Sequence, residues 1–337
     1  MKTIGFKTSH PISHKESFIE FKTETPKPTG RDLLVRVAAI SVNPVDFKIR
    51  QNSAKDTILE EPKIIGWDAI GTVEAVGGNT GLFKVGDKVF YAGDITRPGT
   101  NAEYQLVDER IVGYAPKNIS DTRAAVMPLT SLTAWEILFD RIRISPEKDK
   151  GKSILIIGGA GGVGSIAIQL AKKVAGLTVL ATASRPETMA WCKQMGADYV
   201  VNHKDLINEM HKAGFNEVDF IVDFVDTNSY WDTMVKLIKP QGHIASITGS
   251  SEPVVLNKLK SKSVSFSWEL MYTRSMFQTE DMVQQYHILN KVSELLDKGI
   301  IVSTINKTLK GFSVENLKEA HSLLETNQTI GKIAIQF

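Results

Sequence analysis

Hydrophobic patterning divides the 337-residue chain into two textures that meet near residue 125. Before that point the apolar positions come in short runs broken by glycine and proline. Leu33 to Ile40 is rich in β-branched and apolar side chains and stops at Ser41-Val42-Asn43-Pro44. Ala69 to Val76 is closed by Gly77-Gly78-Asn79, Val85 to Phe90 turns into a further run, and Glu103 to Val107 continues the series. Such punctuation predicts a β-barrel or sandwich.

Beyond Met127-Pro128, helical and extended patterns alternate. Thr130 to Arg141 predicts a helix, Ser153 to Ile157 a compact apolar strand, and the stretch after the next glycines a helix reaching Val174. In that helix Ile166, Leu170 and Val174 recur every four residues, which puts them on one face. Further strands are expected at Leu177 to Ala181, Tyr199 to Asn202, Val218 to Asp223, His243 to Thr248 and Val264 to Trp268. Helices are expected over Pro186 to Met195, from Asp205, and around Trp231 to Ile238. Crossovers of this length imply a mainly parallel sheet covered by helices. The tail reads as helices over Met282 to Asp297 and Val314 to Leu324, with Ser313 as a cap, then a strand from Ile333 to Phe337.

Charge and cysteine content narrow the partners. Forty Lys and Arg against 38 Asp and Glu leave a net charge of +2, so no nucleic-acid partner is required. The densest basic stretch, Arg141 to Lys152, is interleaved with Glu147 and Asp149 and reads as a solvated face. Cys192 is the sole cysteine, which excludes an intrachain disulfide and a multi-cysteine metal centre. Met1 to His10 lacks the pattern of a signal peptide, and no apolar run approaches the roughly 20 residues that span a bilayer. No membrane partner is expected, and a reducing cytoplasm is the expected location. The alternation of Val264, Phe266 and Trp268 with serines suits an edge strand that a second copy can pair, so a homodimer is also an expectation.

The strongest local signal follows the Ser153 to Ile157 strand. Gly159, Gly161 and Gly164 match G-x-G-x-x-G at the opening of an amphipathic helix. In this setting Gly159 permits the tight turn, Gly161 admits a pyrophosphate, and Gly164 lets helix and strand pack closely. The free N–H groups at the helix start then face the phosphates. Twenty residues after Gly164 stand Ser184 and Arg185, and no acidic residue occurs from Ile166 to Pro186. A carboxylate there would repel a 2′-phosphate, whereas Ser184 and Arg185 can donate to one, so NADPH is the expected cofactor. The competing role for Arg185 is an exposed helix start.

Several ordered segments carry a family resemblance. They are Gly66-Trp67-Asp68-Ala69-Ile70-Gly71-Thr72-Val73, Val85-Gly86-Asp87-Lys88-Val89, Gly99 with Ala102-Glu103-Tyr104, Leu129 to Trp135, Ala160 to Gly164, and Gly331-Lys332. Together they resemble the medium-chain dehydrogenase/reductase superfamily, in its zinc-independent quinone oxidoreductase branch. The resemblance implies an α/β fold class: a GroES-like β-barrel catalytic domain over residues 1–124 and a Rossmann-type parallel-sheet NADPH domain over 125–270. Residues 271–337 would return to complete the first domain.

The same resemblance implies site residues. Zinc-containing relatives place a cysteine and a histidine-glutamate pair where this chain has Ser41-Val42-Asn43-Pro44 and Gly66-Trp67-Asp68. The expected zinc ligands are therefore missing. Asn43 matches an asparagine that orients nicotinamide or donates to a developing oxyanion, although an Asn before Pro also forms local turns. Phe47 stands where several relatives have tyrosine. Cofactor contacts are implied for Thr130, Gly162, Val163, His203, Thr248, Gly249, Gly331 and Lys332. Helix capping competes for Thr130 and plain surface exposure for His203. Phe47, Trp67, Phe266 and Trp268 are candidates for an apolar substrate end, with core packing as the competing role. The activity this implies is hydride transfer from NADPH to a small electron-poor carbonyl compound, a quinone or an α,β-unsaturated ketone. A regulatory or interaction protein that binds NADPH without catalysis is the alternative.

Overall fold

The computed structural model describes residues 1–337, which form two compact units: Met1–Leu129 with Tyr272–Phe337, and Thr130–Met271. In the first unit the strands are β1 (Lys2–Gly5), β2 (Ile19–Lys22), β3 (Asp32–Ser41), β4 (Asp68–Val76), β5 (Lys88–Tyr91), β6 (Tyr104–Asp108) and β7 (Val112–Tyr114). The second unit adds β8 (Ser153–Ile157), β9 (Thr178–Thr182), β10 (Tyr199–Val201), β11 (Val218–Asp223), β12 (Ile238–Ser246) and β13 (Ser265–Trp268). The chain then returns to the first unit with β14 (Ile305–Lys310) and β15 (Lys332–Gln336).

β3 organises the first unit. Its register shifts between Leu34 and Val35 and again between Val37 and Ala39 along β4. Extra residues of this kind bend a strand and raise its twist. The bent strand pairs β6 through Asp32 to Arg36 and β15 through Ala39 to Ser41. The sheet path runs β14-β15-β3-β4-β5-β7, with β6 as a branch on β3. The pairing follows the path of a two-unit GroES-like and Rossmann-type architecture, in which β3 divides one edge between β6 and β15.

In the second unit the order is β10-β9-β8-β11-β12-β13, with every neighbouring pair parallel. This is the doubly wound order whose direction reverses between β8 and β11, where ligands meet the carboxyl ends of the strands. β8 is buried at every position, as a central parallel strand must be. Leu155, Ile157, Leu180, Ile221, Met234 and Ile244 belong to its apolar core. β13 is an edge strand of this sheet.

Two helices depart from the expected winding. The helix that opens the second unit runs over Pro128–Trp135 and widens to π geometry over Glu136–Arg141. The helix after the glycines is α-helical over Gly162–Gln169 and π-helical over Leu170–Val174. β14 was not legible as a strand: its burial pattern leaves Leu309 alone fully covered. No helix is long and apolar enough to cross a membrane.

Candidate active site

The second unit presents the glycine loop. The tight turn falls at Gly158, one residue before the expected Gly159, with φ of +88°. Gly159 instead lies against Ala181 and Cys192, since a Cβ there would approach their side chains to 2.8 and 3.0 Å. Cys192 is fully buried, and burial pushes its thiol up to about 12, so it packs as an inert side chain. A Cβ on Gly164 would stand 2.2 Å from Gly158 O, so only glycine lets helix and strand come this close. At Gly161 the nearest atom to such a Cβ is Gly158 O at 3.6 Å, which leaves the loop open to a ligand.

The helix beyond the loop has no side-chain cap at Gly161. Its first hydrogen bond runs from Ser165 N–H to Gly161 O at 2.9 Å. The N–H groups of Gly162, Val163 and Gly164 thus precede the helical ladder, where donors lack intrahelical partners and the positive end of the helix dipole lies. The observed loop fits a dinucleotide pyrophosphate.

At the end of β9 the structure brings two expected residues together: His203 Nε2 lies 3.0 Å from Ser184 Oγ. Arg185 precedes the helix Pro186–Met195, and its Nε stands 3.3 Å from Glu187 Oε1. The carboxylate missing from 166–186 therefore appears just beyond that window, held by the arginine itself. Thr130 is buried in this unit, Thr248 is half-buried with Oγ1 3.2 Å from Asp223 Oδ2, and Gly249 is exposed. Phe266 packs edge-on against both Trp231 and Trp268 beside β13, and Trp268 keeps much of its surface exposed.

The first unit holds a buried polar cluster built on Asp68, the first residue of β4. Asp68 Oδ1 accepts from Leu129 N–H at 2.7 Å, and Oδ2 accepts from Asn43 Nδ2 at 2.9 Å and Lys332 Nζ at 3.0 Å. Lys332 Nζ also donates to Val42 O at 3.0 Å and to Asn43 Oδ1. All three ammonium hydrogens have acceptors inside this unit, which leaves none for a phosphate. Asn43 keeps one amide hydrogen beyond its bond to Asp68. Its side chain is oriented by Asp68 and Lys332, while its backbone N–H donates to Asp46 Oδ2 at 2.9 Å. Burial pushes the Asp46 carboxyl up to about 7 against the opposing Asn43 N–H and Lys332.

Trp67 has no exposed surface, its Nε1 donates to Asp94 O at 3.0 Å, and its ring meets Tyr272 edge-on. Phe47 is likewise buried, and Gly331 leads into β15 from a buried position. Both aromatics belong to the core of this unit, where van der Waals packing accounts for them. Asp68 and Asp223 were the residues that pattern reading passed over. Asp68 stood in the quoted Gly66-Trp67-Asp68 segment, and a carboxylate beginning a β-strand among apolar neighbours was the signal.

Zinc does not fit this cluster. Its side chains offer an amide, the Asp68 and Asp46 carboxyl groups and an ammonium, with no histidine or cysteine, and the lysine's charge would oppose a cation at Asp68. His10 and His14 stack with ring centroids 3.9 Å apart, yet nowhere in the chain do three or more His, Cys, Asp or Glu converge to hold a metal.

An uncapped glycine-loop helix on a doubly wound parallel sheet, with a separate β unit, defines the class of dinucleotide-binding folds. Residues 29–117 match the alcohol dehydrogenase GroES-like domain and residues 162–287 the zinc-binding dehydrogenase family. A zinc-type alcohol dehydrogenase-like protein of Staphylococcus aureus is 46% identical, covering 99% of each chain. A 2-methylene-furan-3-one reductase of Solanum lycopersicum is 32% identical over 94% of this chain and 74% of its own. Among solved structures, a putative zinc-dependent alcohol dehydrogenase protein of Rhizobium etli superposes with a TM-score of 0.95 at 45% identity, covering 100% of this chain and 98% of the other. The quinone oxidoreductase of Coxiella burnetii superposes at 0.82 with 27% identity, covering 100% and 99%. The chain belongs to the medium-chain dehydrogenase/reductase superfamily, in its quinone-oxidoreductase-like branch, without a clear metal-binding site.

Proposed function

We propose that this protein is a zinc-independent reductase that uses NADPH to reduce a quinone or an α,β-unsaturated carbonyl compound. The observation that carries this reading is the open, uncapped glycine loop beside the Ser184–His203 pair, in a chain whose metal positions hold Asn43, Trp67 and Lys332-bound Asp68. The relatives named as a furanone reductase and a quinone oxidoreductase support the acceptor class.

When bound, NADPH supplies the hydride. The N–H groups of Gly162 to Gly164 hold the pyrophosphate, and Ser184, Arg185 and His203 face the 2′-phosphate. Asn43, fixed by Asp68 and Lys332, keeps one amide hydrogen that would serve as the donor to an oxygen gaining negative charge. With Phe47 in place of a tyrosine, that position offers no hydroxyl, and solvent provides the proton that completes the reduction.

Anaerobic oxidation of NADPH against a panel of quinones, enones and aldehydes tests the assignment. Acceptor-dependent turnover of at least one quinone or enone is expected. Tight NADPH binding with no turnover on any acceptor would favour the non-catalytic alternative and reject the reductase. Arg185→Ala is expected to cut the preference for NADPH over NADH by about tenfold, the weight of one charge-assisted contact. An unchanged affinity ratio would show that the Glu187 pairing is the whole role of Arg185.

A further inference from the structure

The second unit holds a buried carboxylate that the cofactor contacts above do not use. Asp223 closes β11 with no exposed surface. Its Oδ1 accepts from the N–H groups of Val225 at 2.9 Å and Asp226 at 3.3 Å. Its Oδ2 accepts from the hydroxyls of Thr227 at 3.3 Å, Ser246 at 3.2 Å and Thr248 at 3.2 Å. These hydroxyls also meet one another: Thr227 Oγ1 lies 2.8 Å from Ser246 Oγ and 3.0 Å from Thr248 Oγ1. Backbone donors complete the web, from Thr227 N–H to Thr248 Oγ1 at 3.2 Å and from Thr248 N–H to Ser246 Oγ at 3.1 Å. One carboxylate thereby ties the turn after β11 to the turn after β12.

The position of the web gives it a direction. It sits at the carboxyl ends of parallel strands, the edge at which open α/β sheets receive ligands. Val225, whose N–H Asp223 holds, is 51% exposed and borders the glycine loop, since a Cβ on Gly158 would meet Val225 Cγ2 at 2.7 Å. Thr248 is half-buried and Gly249 exposed, so the outer rim of the web reaches the surface. In this strand order the adenosine ribose belongs to the end of β9. A dinucleotide whose pyrophosphate crosses the loop after β8 then extends its other half over β11 and β12.

We propose that Asp223 is a positioning residue for the nicotinamide riboside half of NADPH, acting through Val225, Thr227 and Thr248. The proposal rests on NADPH binding at the glycine loop and adds which residues order its reactive end. A packing role alone would loosen both halves of the cofactor site together, whereas this role affects one.

Asp223→Asn and, as a milder variant, Thr248→Val separate the two. Each is titrated with NADPH and with 2′,5′-adenosine diphosphate, which carries the adenosine end only, and the fluorescence of bound reduced nicotinamide is recorded. NADPH affinity is expected to fall about tenfold and the nicotinamide emission to move toward that of free NADPH, with 2′,5′-adenosine diphosphate affinity within about twofold of wild type. Equal losses for both ligands, or no loss of NADPH in either variant, would overturn the proposal. If Asp223→Asn does not fold, Thr248→Val decides alone. Wild-type protein that binds neither ligand would instead remove the cofactor assignment itself, a result visible before any variant is made.

Discussion

Replacing Lys332 by methionine is expected to lower the free energy of unfolding by about 3–5 kcal/mol, the range for breaking a buried ion pair from one side. Methionine keeps the length of the side chain and its apolar stem. It removes three hydrogen bonds and leaves the carboxylate of Asp68, which has no exposed surface, without its cation. The double substitution Asp68→Asn with Lys332→Met should recover a substantial part of the loss, because neither member then leaves a buried charge behind. Urea denaturation of the four proteins measures this directly. A single variant within 1 kcal/mol of wild type would mean that water reaches the cluster and shields Asp68. Activity should fall as well, since Asn43 loses the contact that holds its carbonyl oxygen and turns its amide hydrogens.

Two glycine substitutions in the loop should fail in different ways. Gly164→Ala places a methyl 2.2 Å from Gly158 O and 2.8 Å from Gly159 Cα, both backbone atoms that cannot rotate aside. The helix must shift, and a loss of about 1–3 kcal/mol of stability is expected, as for other overpacked sites. The N–H groups at the helix start move with it, so NADPH affinity should drop on the order of a hundredfold, equivalent to losing one or two charge-assisted hydrogen bonds. Gly161→Ala meets only one atom at 3.6 Å, an ordinary contact, so its melting temperature should match wild type. Its methyl occupies the space a pyrophosphate needs, and cofactor affinity should still fall. Melting curves with and without NADPH check both. Wild-type affinity in Gly161→Ala would show that the phosphates lie elsewhere.

Much of the second unit was legible because its rules are local. A fully apolar five-residue run, a glycine motif and a helix with a four-residue repeat each announce themselves within a short window, and their alternation implies a parallel sheet. Ser184 and His203 were expected at the ends of β9 and β10, and their side chains do meet there. Glu187 lies one residue beyond the acid-free stretch Ile166 to Pro186, and its pairing with Arg185 depends on the helix start. The first unit was harder to read. Nothing in the runs Leu33 to Ile40 and Ala69 to Val76 shows that β3 is bulged at Ala38 and β4 at Glu74, or that β3 shares its other edge between β6 and β15. Lys332 looked like part of a terminal motif, but its role depends on Asn43 and Asp68, which lie 289 and 264 residues away. Trp67 and Phe47 read as candidates for a substrate surface because an aromatic in a motif carries no mark of which way it faces. The π-widening of two helices left no compositional trace that we can identify.

The pairing of β15 with β3 has a consequence for biosynthesis. Ser41 donates its hydroxyl to Ile333 O across 292 residues, and β15 also delivers Lys332 to Asp68. While the chain is being made, the first unit must wait with β3 incomplete and a buried-to-be carboxylate still hydrated. Thr130–Met271 is continuous and emerges whole before that partner exists. Domains generally fold as units during synthesis, so the nucleotide-binding half is set to mature first on the ribosome. The other half can complete β3 only after β15 has emerged.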